Sequence, residues 1–437
     1  MSSIAAHLLV TVGLASLAPR AEAPPPEVLR WLEGSATPVA SLELGADAAD
    51  LAALKRIVGK AHIVAIGEAT HGSHEFFAFK ARAFEFLVRE CGFTDFVMET
   101  DWATARTANA WVERGEGSLD SALSSLAGLW RTEEYRGLLE WMRAWNADPA
   151  HAHKVRIHGM DLPAQGQELA AAVRAALARV DPDVAEAVAP VLERLGNAAA
   201  VDAADVEGVL GLFDELHDGF LENGGEAEWE LARQRTAVLV QRVRSAQQRG
   251  LDQMGFRDRC MADNVRWIAR QAGPEGRILV SAHNGHVSRD ALARVEGYGA
   301  VTSVGRALLD DAPGATGEDL SLVVIGTGFA RGGFRAYGAG GAGGGGLQPF
   351  TIAAPQSDSI EAQLVDAGLT RALVDLRSAP ADGTVRTWLD TPRAMRGVGG
   401  LYDPNSQDDL HSTTLPAEYD ALFFVSEVTP SRLLAAK

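Results

Sequence analysis

Residues 63–102 read IVAIGEATHGSHEFFAFKARAFEFLVRECGFTDFVMETDW, and the fold is decided here. Ile63-Val64-Ala65-Ile66 is a short apolar run closed by Gly67, which fits a buried strand. A polar turn follows, Glu68-Ala69-Thr70-His71-Gly72-Ser73-His74. Phe76, Phe79, Ala83 and Leu87 then recur at spacings of three and four, the period of a helix face. Cys91-Gly92-Phe93 ends that pattern, and a second apolar run, Phe96-Val97-Met98, leads to Glu99. Strand, helix, strand in this order makes the two strands parallel, with a right-handed crossover. Open parallel sheets bind ligands beyond the carboxyl ends of their strands. Glu68 and His71 follow one such end and Glu99 marks another, so the topology brings an imidazole and two carboxylates to one rim. Such a grouping suits general-base chemistry.

The same grammar recurs along the chain. Asp47 is placed to cap a short helix over Ala48 to Val58. Helices are expected over Ala103 to Arg114 and Arg131 to Asn146, and a weaker strand over 154–159 leads to Asp161. Between about 167 and 249 strand signals vanish. Ala, Leu, Val, Glu and Arg dominate, with breaks at Asp181-Pro182, Gly196-Asn197 and Asn223-Gly224-Gly225. A helix over Arg257 to Arg270 precedes the strand Arg277-Ile278-Leu279-Val280 and the turn Ser281-Ala282-His283-Asn284-Gly285-His286. Further strands end near Gly326, Asp375 and Glu427. The expected architecture is α/β, with a mostly parallel central sheet flanked by helices and an all-helical insertion. The boundaries are an N-terminal segment 1–40, an α/β catalytic domain 41–165 and 251–437, and a helical subdomain 166–250. All the strand-end side chains, Asp375 and Glu427 included, are expected along one edge.

A chain of 437 residues has length for a large core. Its net charge of −18 argues against nucleic acid, whose phosphates need a basic surface. Two cysteines, Cys91 and Cys260, make no disulfide framework and read as small buried apolar residues. Residues 4–18 are mostly apolar and Ala21-Glu22-Ala23 resembles a cleavage site, yet no Lys or Arg precedes the run and His7 interrupts it. The expected compartment is the cytoplasm, or a secreted or periplasmic location if residues 1–23 are a signal peptide. No later stretch is apolar and long enough to span a bilayer. The glycine run from Gly338 to Gly346 has no P-loop lysine and reads as a loop.

His71, set in a loop after a strand and three residues from both Glu68 and His74, is the leading candidate for chemistry; His283 and His286 form a second pair behind a strand. Position 78 is Ala, so His74-Glu75 does not complete H-E-x-x-H, and no G-x-S-x-G is present. Without a serine or cysteine nucleophile, water is the natural attacking group, activated by histidine or by a metal held at the two H-x-x-H spacings.

Gly67-Glu68-Ala69-Thr70-His71-Gly72 and Glu75-Phe76-Phe77 resemble the erythromycin esterase family. So do the stretches around Trp130-Arg131-Thr132, Arg257-Asp258-Arg259, Ala282-His283-Asn284-Gly285-His286, Asp375-Leu376-Arg377 and Tyr419-Asp420-Ala421. The resemblance runs from about residue 40 onward. It implies a carboxylic ester hydrolase that opens the macrolactone of macrolide antibiotics without metal or cofactor. It implies His71 as the base, supported by Glu68 and Glu99, with His283 or His286 assisting. Candidate substrate contacts are Lys80, His74, Trp102, Arg131 and Asp161. The family's resistance enzymes carry arginine where this chain has Lys80, which keeps the charge but lacks the planar fork. The expected partner is a small-molecule ester, a macrolide among the options, with no nucleic acid and no membrane span. Two alternatives stand: a metal-dependent hydrolase or haem-binding relative of the same fold, and a protein that tailors a polysaccharide or natural product.

Overall fold

The computed structural model describes residues 23–126, 128–295, 297–310, 321–338, 346–405 and 409–435. The first strands are β1 (Ala36–Pro38), β2 (Ile63–Ile66), β3 (Phe93–Asp101), β4 (Arg156–Asp161) and β5 (Arg277–Ser281). A small hairpin, β6 (Ala293–Val295) and β7 (Gly299–Val301), comes next. Then follow β8 (Leu322–Tyr337), β9 (Leu347–Ile352), β10 (Arg371–Asp375), β11 (Arg393–Arg396), β12 (Leu410–Thr413) and β13 (Ala421–Val428). The central sheet has the order β1-β10-β13-β8-β2-β5-β3-β4, with β9 paired to the far end of β8. From β13 to β4 every pairing is parallel. The sheet is thus mostly parallel and flanked by helices, as the sequence pattern predicts.

Apolar residues fill both faces of this sheet. Alternate residues of β2 point to opposite sides, Val64 and Ile66 into one apolar cluster and Ile63 and Ala65 into the other. The helix His74–Cys91 ends at Gly92, whose φ of 74° is the left-handed value that glycine takes without strain. This helix is buried almost all round rather than on one stripe: Phe76, Phe79, Ala83, Phe84 and Leu87 are all fully covered. Phe79 stacks on Phe423 of β13, with centroids 3.7 Å apart. Each large apolar side chain so buried contributes about 1.5–3 kcal/mol. The charges on this helix are matched rather than solvated. Arg82 holds Asp50 and the carbonyls of Ser41 and Asp47, and Glu85 holds Arg89 and the amide of Gly45.

One expected rim residue lies at the other edge. β10 runs antiparallel to β13, with Asp375 opposite Ala421, so Asp375 sits at the opposite edge from His71. Glu427 does keep to the carboxyl edge, because β13 runs parallel to β8, and there it pairs with exposed Arg331. Carboxyl ends share one edge only while the strands stay parallel, and β10 is antiparallel to β13.

Residues 167–272 are helical apart from short breaks, at Asp181, around 194–202 and at 224–225 among others. Asp181 caps the helix Pro182–Glu193 with its side chain. These helices share an apolar cluster of their own, including Val173, Leu177, Phe213, Phe220 and Leu239. Of the glycine run, residues 339–345 lie outside the described residues, as do residues 1–22 of the expected signal segment. No described helix is long and apolar enough to cross a membrane.

Candidate active site

The turn after β2 owes its two glycines to crowding. A Cβ on Gly67 would sit 2.1 Å from Asn284 Oδ1, and one on Gly72 would sit 2.0 Å from the Arg335 carbonyl oxygen. Asn284 reaches across to bond both backbone groups of Thr327, which bolts the β5 turn to β8. The intervening loop is tied from three directions. Thr327 Oγ1 accepts from the Ala69 amide, the Val398 amide donates to Ala69 O, and the Gly72 carbonyl accepts from Arg335 and Ser431. His71 is therefore fixed by main-chain bonds before its side chain is considered.

Its ring is fixed as well. Nδ1 lies 2.6 Å from Glu68 Oε1, and both residues are buried. The carboxylate accepts a hydrogen bond from Nδ1–H, which leaves the lone pair on Nε2; Nε2 has no partner among the described residues. Lys80 Nζ lies 2.5 Å from Glu68 Oε2 and 3.2 Å from the Ala282 carbonyl. Burial pushes the Glu68 carboxyl up, but Lys80 and then His71 outweigh it and hold it below its ordinary value. Lys80 is itself fully buried, and that burial lowers its pKa against the pull of Glu68. So Lys80 lies behind Glu68 and charges it, rather than facing a ligand.

The second histidine pair splits into two different groups. His286 is clamped, with Nδ1 2.8 Å from Asp258 Oδ2 and Nε2 3.1 Å from Glu99 Oε1. Burial opposes its charge, yet the two carboxylates raise it to about 10, so it is an imidazolium. His283 is the reverse. Burial, then the neighbouring His71 and His286, push it well below its ordinary value. The Gly285 amide donates to its Nδ1 at 3.2 Å, so the neutral ring carries its proton on Nε2. That Nε2 is buried with no partner among the described residues. The rings of His71 and His283 have centroids 5.1 Å apart.

Glu99 does not brace His71. Its Oε2 accepts from the His283 amide at 2.9 Å, and its Oε1 meets His286 and Arg257. Burial raises Glu99, and His286, His71 and Arg257 more than reverse that, leaving it well below the usual carboxylate range. Asp161 takes Arg257 in a two-pronged pair at 2.8 and 2.7 Å. Arg257 links Asp161 to Glu99, and Asp161 does not bond His71.

Three other sequence candidates are placed apart or alongside. His74 turns to Glu134, 2.7 Å away, and joins the starts of two helices. Trp102 packs on Trp267 among the helices, with centroids 5.8 Å apart. Arg131 bonds Leu434 through its carbonyl, and its buried Nε has no partner among the described residues. Its neighbour Trp130 sets a ring edge against His71, centroids 6.0 Å apart. Sequence reasoning singled out neither Trp130 nor Asp258 nor Arg257 as a site residue. The stretches around Trp130 and Arg257-Asp258 carry the family resemblance, but that resemblance gave these residues no role. The strap 397–402 was also unread: Val398 pairs with Thr70, and a Cβ on Gly400 would come 3.6 Å from His71. Among the described residues no three His, Cys, Asp or Glu side chains are arranged to hold a metal ion.

This arrangement offers a free base nitrogen and, across a short gap, a neutral N–H with nothing to bond. Comparison with known proteins gives it a context. A family model described as erythromycin esterase matches residues 88–428. The erythromycin esterase type II of Escherichia coli is 22% identical over 378 residues, 76% of this chain and 85% of its own. YbfO of Bacillus subtilis (strain 168), whose name is that of a hydrolase, is 23% identical over 436 residues, 92% of each chain. A solved Bacillus cereus protein superposes with a TM-score of 0.81 at 25% identity, covering 94% of this chain and 99% of its own. A mutant of the erythromycin esterase EreC in its open conformation gives a TM-score of 0.65 at 17% identity, covering 89% and 96%.

Proposed function

The chain belongs to the erythromycin esterase family and is a hydrolase of that family, and from this premise we propose that it cleaves a carboxylic ester by histidine-activated attack of water. The observation that carries the reading is the division of labour between two neighbouring rings. His71 presents a lone pair because Glu68 holds its other nitrogen. His283 presents a proton because Gly285 occupies its other nitrogen.

Water between them gives its proton to His71 Nε2 as its oxygen bonds to the ester carbon. The carbonyl oxygen becomes an oxyanion and accepts from His283 Nε2–H. The carbon–oxygen bond to the alcohol then breaks, and His71 returns the proton to the leaving oxygen. Glu68 stabilises the imidazolium that forms in between, and Lys80 keeps Glu68 ionised. Base catalysis of this kind gives about 10²–10⁴-fold, and one oxyanion donor about 10²–10³-fold. The carboxylates of the site are already taken up by histidine, lysine and arginine, which favours histidine over a metal ion as the activator of water.

The substrate we propose is a small-molecule ester, with the macrolactone of a macrolide as the first to test, since a macrolide's protonated amino sugar suits a protein of net charge −18. The experiment is mass spectrometry of erythromycin, and of a panel of simple esters, incubated with wild type and with His71→Ala, each with and without chelator. Gain of one water with wild type alone, unaffected by chelator, is expected. Hydrolysis that chelator stops, or that survives in His71→Ala, overturns the mechanism. Turnover of simple esters but not erythromycin removes the macrolide and keeps the esterase.

A further inference from the structure

A second cavity, of about 200 Å³, opens at the free edge of β4, against the helices Ala105–Arg114, Glu226–Ala246 and Gly250–Ala272. β4 lies three strands from β2, roughly 14 Å along the sheet at the usual strand spacing. The cavity is therefore separate from the His71 site. Trp102, one of the residues singled out in the sequence, lines this cavity.

Its lining includes the apolar side chains of Trp102, Trp267 and Leu231. Arg106 lines it as well, its guanidinium carbon 5.6 Å from the centre of the Trp102 ring. Arg106 makes no hydrogen bond or ion pair among the described residues, and the nearby acids are engaged elsewhere. Asp95 is shared by Arg156 at 2.9 Å and His158 at 2.7 Å. Glu113 pairs with Arg114 at 3.0 Å, and Glu230 accepts from Gln271 at 2.7 Å. The strand edge itself is closed to pairing, because Asn109 caps the Ile157 amide and Asn264 the Met160 carbonyl. Arg106 is itself exposed, so its guanidinium can be reached from solvent. The hollow thus sets an unpartnered, reachable guanidinium beside aromatic surface, in a chain whose net charge is −18.

We propose that this cavity binds a small anion borne on a planar apolar ring, its carboxylate or phosphate on Arg106 and its ring against Trp267 and Leu231. Guanidinium takes either oxyanion through two parallel hydrogen bonds, and the aromatic wall supplies the contact area.

Isothermal titration of the full chain with phenyl phosphate, benzoate and neutral benzyl alcohol tests this. Wild type is expected to bind one or both anions saturably, at least about tenfold more tightly than benzyl alcohol. Arg106→Ala should weaken the anions about tenfold, and Arg106→Lys by less, since it keeps the charge but loses the fork. His71→Ala should leave their affinity within about twofold, which separates this cavity from the esterase site. A thermal melt of each variant confirms folding. No saturation up to roughly 20 mM, equal binding of the neutral probe, or undiminished binding by folded Arg106→Ala overturns the proposal. Loss of binding in His71→Ala overturns it too.

Discussion

At the scale of the residue, two histidines three positions apart are set to opposite charge states by their neighbours. His283 faces cations and apolar surroundings and stays neutral, while His286 sits between two carboxylates and stays charged. Replacing them should give different failures. His283→Ala should lower kcat by about 10²–10³-fold with little change in KM, because it removes a donor to the transition state. His286→Gln should instead show in stability. The folded value of about 10 lies above the ordinary 6.5, so its contribution is complete below pH 6.5 and is lost as pH rises toward 10. Melting of His286→Gln against wild type should therefore show its largest gap near pH 6, shrinking as pH approaches 10. An equal gap at both ends would refute the assignment. A third buried group gives the opposite opportunity. Burial raises fully covered Glu361 to about 7, with one oxygen unpartnered. A carboxyl raised this way favours folding only while protonated, so wild-type stability falls between pH 4.5 and 7. Glu361→Gln keeps the oxygen that accepts from the Arg396 amide. It should gain roughly 1–3 kcal/mol above pH 7 and nothing below pH 4.5, read from denaturant unfolding at both pH values.

At the scale of the element, the turn of residues 67–74 is held less by its own sequence than by what crosses it. Gly72→Ala puts a methyl against a backbone carbonyl that cannot step aside. A loss of about 1–3 kcal/mol is expected, with activity falling further because His71 shifts with the loop. A melting point and kcat both near wild type would show that β8 yields more easily than the packing implies. The contrast between elements also explains what could be read in advance. The 63–102 unit is local: its strands, its helix and the positions of Glu68, His71 and Glu99 follow from periodicity and a parallel crossover. The direction of β10 is not local. An antiparallel return leaves the same apolar run as a parallel one, so Asp375 was sent to the wrong edge. Lys80 shows a related limit. Its helical position was plain, but whether a lysine there faces solvent or is buried behind a carboxylate depends on the helices packed above it. Arg257-Asp258 and Trp130 reach the site from two separate segments, and no spacing rule connects them to the 63–102 unit.

At the scale of the molecule, charge is the property with the longest reach. A net charge of −18 gives a field that draws cations toward the surface and is screened over a Debye length of about 8 Å at physiological salt. For an ester bearing a protonated amine, kcat/KM should fall severalfold from low to high ionic strength, while a neutral analogue should be unaffected. Stopped-flow or steady-state assays over a salt series would show this. Parallel curves for the two substrates would place recognition in contacts alone.

The ties on the catalytic turn also set a schedule. Residues 69–73 are complete only when Thr327, Val398 and Pro430-Ser431 have arrived, hundreds of positions later in the chain. On a ribosome adding about 5–20 residues per second, that wait is tens of seconds. Through all of it the strand, the histidine and its glutamate exist, but nothing pins them. A nascent or prematurely ended chain should therefore be inert toward esters even where its early helices have formed. Competence arrives in one step, when the last strand docks.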